Sequence, residues 1–283
     1  MTETKEIPNS SRKLFFGLFV FPLIIAIGMA LLLCSAVLMT HEKETPESLI
    51  ADIKKTSPGK RWQKAFELSN ELHHLSPNIR KKAALNEITQ ILRDSERYDS
   101  KTRSYMALAL SHYHEPEAII ALRYSLKDPS EDVRLYSLWA LGALQSKESV
   151  PDILPYVESD SADTRKTAAY VLGAIGDPGS ANKLETLLSD SSADVRWNAA
   201  LALARLGDAS GLDVLMKMLR REELASQQNM NDEQIEAVMV NAAKGLALIR
   251  RPEAIKILES VSKNDKSMKV RQAALMALEM NRK

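Results

Sequence analysis

The amino-acid sequence predicts an all-α protein in which one apolar helix precedes a solenoid of stacked helical hairpins. Two observations support this fold class: residues 14–39 carry no charged side chain, and the rest of the chain repeats every 31 residues. No segment shows the period-two alternation of polar and apolar residues that is typical of a half-buried strand. We therefore divide the chain into a tail (1–13), an apolar helix (14–39), a linker (40–46) and a solenoid (47–283).

Residues 14–39 predict a single transmembrane helix. A helix of this length is roughly 39 Å long, more than the ~30 Å hydrocarbon core of a bilayer. A cleaved signal peptide is the alternative, but its apolar stretch usually has only about 7–15 residues. A lipoprotein would be acylated at Cys34, yet Leu33 stands where a small residue is expected. We therefore expect an uncleaved signal anchor.

The charged residues that flank the apolar segment predict its orientation. Lys5, Arg12 and Lys13 precede it, whereas Lys43 and Lys54 follow it. Basic residues favour the cytoplasmic side of a membrane. We therefore expect a single-pass membrane protein with its N-terminus in the cytoplasm and its solenoid on the extracytoplasmic or periplasmic side.

The repeat is visible in several columns of residues. Arginines recur at Arg103, Arg134, Arg165 and Arg196, each 31 residues after the last. Two apolar columns keep the same step: Leu122, Ile153, Leu184 and Leu215, then Leu126, Val157, Leu188 and Leu219. Two columns in phase over four units indicate a true structural repeat.

The residue pattern within each unit predicts a helix, a turn and a shorter second helix. Val195, Ala199 and Leu203 recur at helical spacing and share one face. Gly176 and Gly207 then end the first helix in a left-handed conformation. Because one hairpin alone does not bury its apolar faces, the units must stack on one another.

The unit resembles a HEAT repeat. The pattern D-V-R-x-x-A-A-x-A-L-x-x-L-G-D at 194–208 has copies at 132, 163 and 267, and the resemblance covers about residues 96–283. It is similar in particular to the short bacterial type that phycobilisome lyases also contain. The resemblance implies a right-handed α-solenoid of HEAT-like helical hairpins. It also implies that Asp128, Asp190 and Asp265, each six residues before an arginine, join neighbouring repeats by hydrogen bonds.

Two features depart from the repeat. Extra polar residues at about 221–231 predict a protruding loop or a helix extension. The last copy, at 267–283, has only a first helix, which leaves Leu275, Leu278 and Met280 uncovered. We expect a partner to cover this edge, because exposed apolar patches mark interaction sites.

Four histidines are the only candidate metal ligands: His73, His74, His112 and His114. We expect both pairs at the same end of neighbouring first helices, where imidazoles can converge on a transition metal. Adjacent residues on a helix diverge by roughly 100°, however, and histidine near a helix C-terminus also complements the helix dipole. The sequence has no phosphate-binding glycine loop, nucleophile elbow or paired-cysteine motif. We therefore predict no metal, no cofactor and no catalytic residue.

Aromatic and charged residues outside the apolar columns are the candidates for partner binding. Tyr136 and Trp197 lie on first helices in polar or mixed columns, whereas Trp139 and Tyr170 share the column of Leu201 and are expected to fill the core. The second helices, which usually line the concave face of such solenoids, and the C-terminal edge supply the others: Tyr124, Tyr156, Lys183, Glu185, Lys217, Lys256 and Met280.

These observations predict a non-catalytic protein–protein interaction scaffold, anchored in a membrane, that serves as an accessory or assembly subunit of a membrane complex. One alternative is a lyase-like assembly factor for a chromophore or cofactor protein, which the resemblance to phycobilisome lyases implies. A second is nucleic-acid binding, as in HEAT-like DNA glycosylases. That function needs a basic surface, whereas the chain carries 38 basic and 37 acidic side chains and a net charge of +1.

Overall fold

The computed structural model of the chain describes residues 16–40, 45–74, 82–228 and 230–282. Every regular element among these residues is helical. The chain divides into two compact units, Met1–Thr45 and Pro46–Lys283. The predicted tail and most of the predicted linker lie outside the described residues.

The first unit contains a π-helical turn, Phe16–Val20, and the helix α1 (Phe21–Thr40). The apolar side chains of α1 from Phe21 to Leu33 are exposed; Leu32, for example, is 70% exposed. In the part of the chain that the structure describes, no helix is both long enough and apolar enough to cross a membrane. The predicted transmembrane helix at 14–39, whose first two residues lie outside the described part, is therefore not confirmed.

The second unit is a helical solenoid. It begins with a lone helix, α2 (Pro46–Lys55), and continues as helix pairs. The pairs are α3 (Pro58–His74) with α4 (Lys82–Arg93), α5 (Ser100–Leu110) with α6 (Pro116–Ser125), α7 (Glu131–Ala143) with α8 (Val150–Ile153), α9 (Ala162–Ile175) with α10 (Ala181–Thr186), and α11 (Ala193–Arg205) with α12 (Leu212–Lys217). Then follow α13 (Arg221–Gln228), the pair α14 (Asp232–Leu248) and α15 (Pro252–Asn264), and α16 (Met268–Arg282).

The first helices of successive repeats stack side by side, and their small residues allow this close approach. Ala168, Ala169, Ala199 and Ala200 have no exposed surface. At Gly173 the neighbouring helix is so close that a Cβ atom would lie 2.6 Å from the Cα atom of Ala202. The core is therefore made of close-packed helices in which single methyl groups matter.

The predicted glycine caps are confirmed. Gly176 and Gly207 follow first helices with φ angles of 74° and 77°, the left-handed conformation that glycine adopts without steric cost. Gln145, 31 residues before Gly176, adopts the same conformation with φ at 50°. The helix end is thus a property of the repeat, even where the sequence has no glycine.

The predicted Asp–Arg links between repeats are confirmed. Arg165 donates from Nη1 to the carbonyl oxygens of Ser159 (2.8 Å) and Asp160 (3.0 Å) in the preceding loop. Its Nε and Nη2 atoms donate to both carboxylate oxygens of Asp190, at 2.7 and 2.9 Å, in the following loop. Arg103 pairs with Asp128 at the same separation of 25 residues. Each such arginine therefore joins two loops of the stack.

The inserted residues form the short helix α13, which neither protrudes freely nor extends α12. Leu224 is only 5% exposed and packs in the core formed by the C-terminal repeats. Arg221 pairs with Asp265, with Nη2 2.8 Å from Oδ1. The insertion is thus fastened to the solenoid, because it supplies both an apolar and a charged contact.

Candidate functional site

A row of aromatic side chains crosses the first helices from α3 to α9. It consists of Trp62, Phe66, Tyr105, Tyr136, Trp139 and Tyr170, and we call it the aromatic row. The ring centroids of neighbouring members are close: 5.4 Å for Phe66 and Tyr105, 5.8 Å for Tyr105 and Tyr136, and 4.6 Å for Trp139 and Tyr170. These separations suit favourable edge-on and offset aromatic pairs.

The aromatic row is accessible to a partner. Phe66 is 43% exposed and Trp139 is 44% exposed. Burial, followed by the proximity of Tyr105, raises the pKa of Tyr136, so its hydroxyl stays neutral at physiological pH. The row therefore presents uncharged rings that are partly embedded and partly free.

Cations lie at both ends of the aromatic row. Lys101 Nζ is 3.3 Å from the centroid of the Trp62 ring, and Arg205 Cζ is 5.1 Å from that of Tyr170. Such cation–π contacts hold long basic side chains against the rings. They also give a mostly apolar surface a positive border.

The apolar surface continues toward the C-terminal repeats. Tyr170, Leu201 and Leu248 line a cleft of about 230 Å³, together with Arg205 and Lys244. The next cleft has a volume of about 360 Å³; its lining residues include Val240, Lys244, Lys269, Met276 and Met280. Met280, a predicted candidate, is 52% exposed here. The first helices from α9 to α16 thus carry two neighbouring clefts, which share Lys244 in their linings.

Some of the second-helix candidates are engaged in contacts between repeats. The Tyr156 hydroxyl donates to the carbonyl of Leu126, and Lys183 pairs with Glu158. Glu185 accepts a hydrogen bond of 3.0 Å from Ser210 Oγ. Two other candidates, Tyr124 and Lys256, are exposed on α6 and α15. Three of the six second-helix candidates therefore take part in contacts between repeats.

Trp197 and Lys217 are brought together. They line a cleft of about 140 Å³, whose other lining residues are Leu188, Arg196, Val214, Glu223 and Leu224. The cleft lies where α11, α12 and the inserted α13 meet. The sequence placed these two candidates on different helices of one repeat without linking them.

A family model described as HEAT repeats matches residues 122–194 and 156–229. Residues 122–229 are therefore similar to HEAT repeats. No curated protein matches the sequence of this chain.

Solved structures share the HEAT-repeat architecture. A chain of the complex of CpcE and CpcF of phycocyanin lyase from Nostoc sp. is 18% identical, with a TM-score of 0.56 over 85% of this chain and 96% of that one. YibA of Escherichia coli is 14% identical, with a TM-score of 0.52 over 84% of this chain and 93% of that one. At such low identity these similarities establish the fold alone.

Three of the four histidines lie together at one end of the HEAT-like units. The rings of His73 and His74 are 5.3 Å apart, and those of His73 and His112 are 5.5 Å apart. His112 and His114 lie in the turn after α5, not on the helix as predicted, because that helix ends at Leu110. Among the described residues, no group of three or more histidine, cysteine or acidic side chains is placed to hold a metal ion.

The prediction that Trp139 fills the core is wrong, because this side chain is 44% exposed, whereas Tyr170 is half-buried and packs against the core. The column lies at the border of the core: Leu201, in the same column, is also half-buried, and it lines a cleft. An aromatic residue in a column of leucines therefore does not by itself indicate a buried position. The helical phase relative to the buried alanines Ala168 and Ala199 is the signal that distinguishes this border column from a core column.

Proposed function

We propose that these HEAT repeats form a non-catalytic scaffold that binds another protein through the aromatic row. The observation that carries the proposal is the presence of exposed and half-buried rings on four successive first helices, packed in two groups: Phe66 with Tyr105 and Tyr136, and Trp139 with Tyr170. Aromatic residues are enriched among the residues that dominate binding energy at protein interfaces. Because the rings already pack on one another, a partner restricts little additional side-chain freedom.

The charges of the chain favour a protein partner over a nucleic acid. A nucleic-acid-binding surface requires an excess of basic residues. The net charge here is +1, and several basic side chains already pair with neighbouring repeats, as Lys183 does with Glu158. The border of Lys101 and Arg205 instead suits a partner that surrounds apolar contacts with acidic residues.

Replacing Phe66 and Trp139 together by alanine should reduce partner recovery about tenfold or more, since loss of two exposed anchors costs at least ~1–2 kcal/mol of binding. Full-length tagged protein is purified from native membranes, and co-purifying proteins are quantified by mass spectrometry. The matched control is Ile120→Ala, which removes a 55% exposed apolar side chain from a second helix. Equal recovery with the folded double variant and with wild type would refute the proposed role of the row.

We also propose that the apolar segment attaches the scaffold to a lipid bilayer, where it serves as an accessory or assembly subunit of a membrane complex. Residues 14–39 carry no charge, and the described side chains of α1 from Leu23 to Leu33 are largely exposed and apolar. Burying such surface in hydrocarbon is favourable by about 25 cal/mol per Å². The flanking charges favour a cytoplasmic N-terminus.

Carbonate extraction tests this attachment. The full chain should remain with the membrane pellet, and a variant that lacks residues 1–44 should move to the soluble fraction. Alkaline phosphatase fused after Lys283 should be active, because it would lie outside the cytoplasm. A full chain that is extracted as readily as the shortened one would exclude attachment through this segment.

A further inference from the structure

The arginines at Arg103 and Arg165 show how this repeat binds a carboxylate. Both pair with an aspartate 25 residues later. Arg165 uses Nη1 for loop carbonyls and presents Nε and Nη2 as a two-atom edge to Asp190. Parallel bonds of this kind are the preferred geometry for an arginine and a carboxylate.

Arg196 keeps the first half of this arrangement, and no carboxylate of the described residues completes the second half. Its Nη1 donates to the carbonyls of Asp190 (2.6 Å) and Ser191 (2.9 Å), as Arg165 does one repeat earlier. The residue 25 positions later is Arg221 instead of an aspartate. Arg221 is turned to Asp265, with bonds of 3.1 and 2.8 Å. Arg221 therefore occupies the sequence position at which two other repeats have an aspartate, and it pairs with Asp265.

Arg196 lines the 140 Å³ cleft between α11, α12 and α13. Lys217 adds a second cation to the lining, and Trp197 supplies apolar surface. Glu223 is the one carboxylate in the lining, and it already accepts a bond of 2.8 Å from Arg220. The lining therefore combines an incompletely paired guanidinium, an ammonium and an apolar wall.

We propose that this cleft binds the side-chain carboxylate of an aspartate or glutamate in a partner polypeptide. The carboxylate would take from Arg196 Nε and Nη2 the two bonds that Asp190 takes from Arg165. Lys217 would add attraction, and the wall formed by Trp197, Val214 and Leu224 would contact an apolar residue beside the acidic one. The site is separate from the aromatic row, so its existence does not depend on the function proposed for that row.

Arg134 provides the internal comparison. It makes the same loop bonds, to Asp128 (2.7 Å) and Pro129 (3.0 Å), and the residue 25 positions later is Ser159. Its charge acts on Tyr156, the half-buried side chain that binds the Leu126 carbonyl. Arg134 therefore lies near Tyr156, which is held by its hydrogen bond to Leu126, whereas Arg196 lies beside an open cleft.

The three tryptophans of the chain allow a direct test. Full-length protein in detergent, with its tryptophan indoles labelled with nitrogen-15, is titrated with the blocked tripeptide acetyl-Leu-Glu-Leu-amide. The Trp197 indole signal, assigned with a Trp197→Phe variant, should shift to saturation, whereas the Trp62 and Trp139 signals should not. The glutamine analogue of the peptide, and acetate alone, should each bind about tenfold more weakly or worse, because one lacks the charge and the other the apolar contacts.

Variants complete the test. Arg196→Gln should weaken binding of the glutamate peptide about tenfold or more, and Lys217→Gln should weaken it by about threefold. Arg134→Gln, the matched control, should leave it unchanged. If Arg196→Gln fails to fold, the Lys217 variant and the peptide comparison still decide. Equal binding of the glutamate and glutamine peptides, equal binding of acetate, or full binding by a folded Arg196→Gln variant would overturn the proposal.

Discussion

Replacing Asp190 by alanine should destabilise the solenoid by about 3 kcal/mol. The carboxylate is only 8% exposed, and its partner Arg165 is 15% exposed. Removing one member of a buried, hydrogen-bonded ion pair leaves the other charge without compensation, which typically costs about 3–5 kcal/mol. Asp190 also accepts a bond of 2.8 Å from the Ser192 amide at the start of α11. Urea unfolding followed by circular dichroism measures the loss.

The matched control for this prediction is Asp160→Ala. Asp160 is exposed and lies next to the same arginine, but it contributes its backbone carbonyl, which the substitution retains. Its replacement should change the free energy of unfolding by less than about 0.5 kcal/mol. If both variants lost equal stability, the side-chain pair of Arg165 and Asp190 would have no special role.

The pH dependence of the Asp190 effect follows from its pKa. The hydrogen bond from Arg165 lowers the pKa of Asp190 below its usual range. Stability from a lowered carboxyl pKa is fully present above the unfolded value of about 3.9, and it is lost as pH falls through the lower folded value. The difference between wild type and Asp190→Ala should therefore be constant from about pH 6 to 8 and shrink below about pH 4.

Substituting Gly173 by alanine should destabilise the stack by about 1–2 kcal/mol. The added Cβ would lie 2.6 Å from both Cα and Cβ of Ala202, and α11 would have to move away from α9 to make room. Overpacking of this kind usually costs about 1–3 kcal/mol, and here the obstacle includes backbone, which does not rotate aside. The cost should outweigh the gain of roughly 0.8–1.0 kcal/mol in helix propensity from glycine to alanine. Thermal or urea unfolding gives the difference.

The control for this substitution is Gly59→Ala in α3, where an added Cβ meets nothing within 4 Å. That variant should be as stable as wild type or more stable by up to about 1 kcal/mol, because alanine favours the helix. A Gly173→Ala variant that matched Gly59→Ala in stability would show that the helices separate without cost.

Most of the solenoid was predictable, because a repeated contact leaves a repeated residue. The glycine caps at Gly176 and Gly207 and the pairing of Asp190 depend on the loop next to each helix or on the neighbouring repeat. Such contacts recur at the same step in several units, so the 31-residue period records them. The aromatic row is only partly predictable from the sequence. The repeat pattern marks Tyr136 as a candidate for partner binding but assigns Trp139 and Tyr170 to the core. A column of similar residues indicates burial only when its helical phase relative to the buried alanines is known.

The sequence by itself determined that the chain is helical, that residues 14–39 are uncharged, and that the remainder is a stack of hairpins joined by arginine and aspartate. Only the tertiary structure decided which of the arginines without a matching aspartate lies beside a cleft. Arg221 pairs with Asp265, 44 residues later, because the insertion folds into α13 instead of continuing the repeat. A period describes contacts that every repeat makes. The cleft at Arg196 lies where the insertion departs from that period, so its lining depends on how α13 packs.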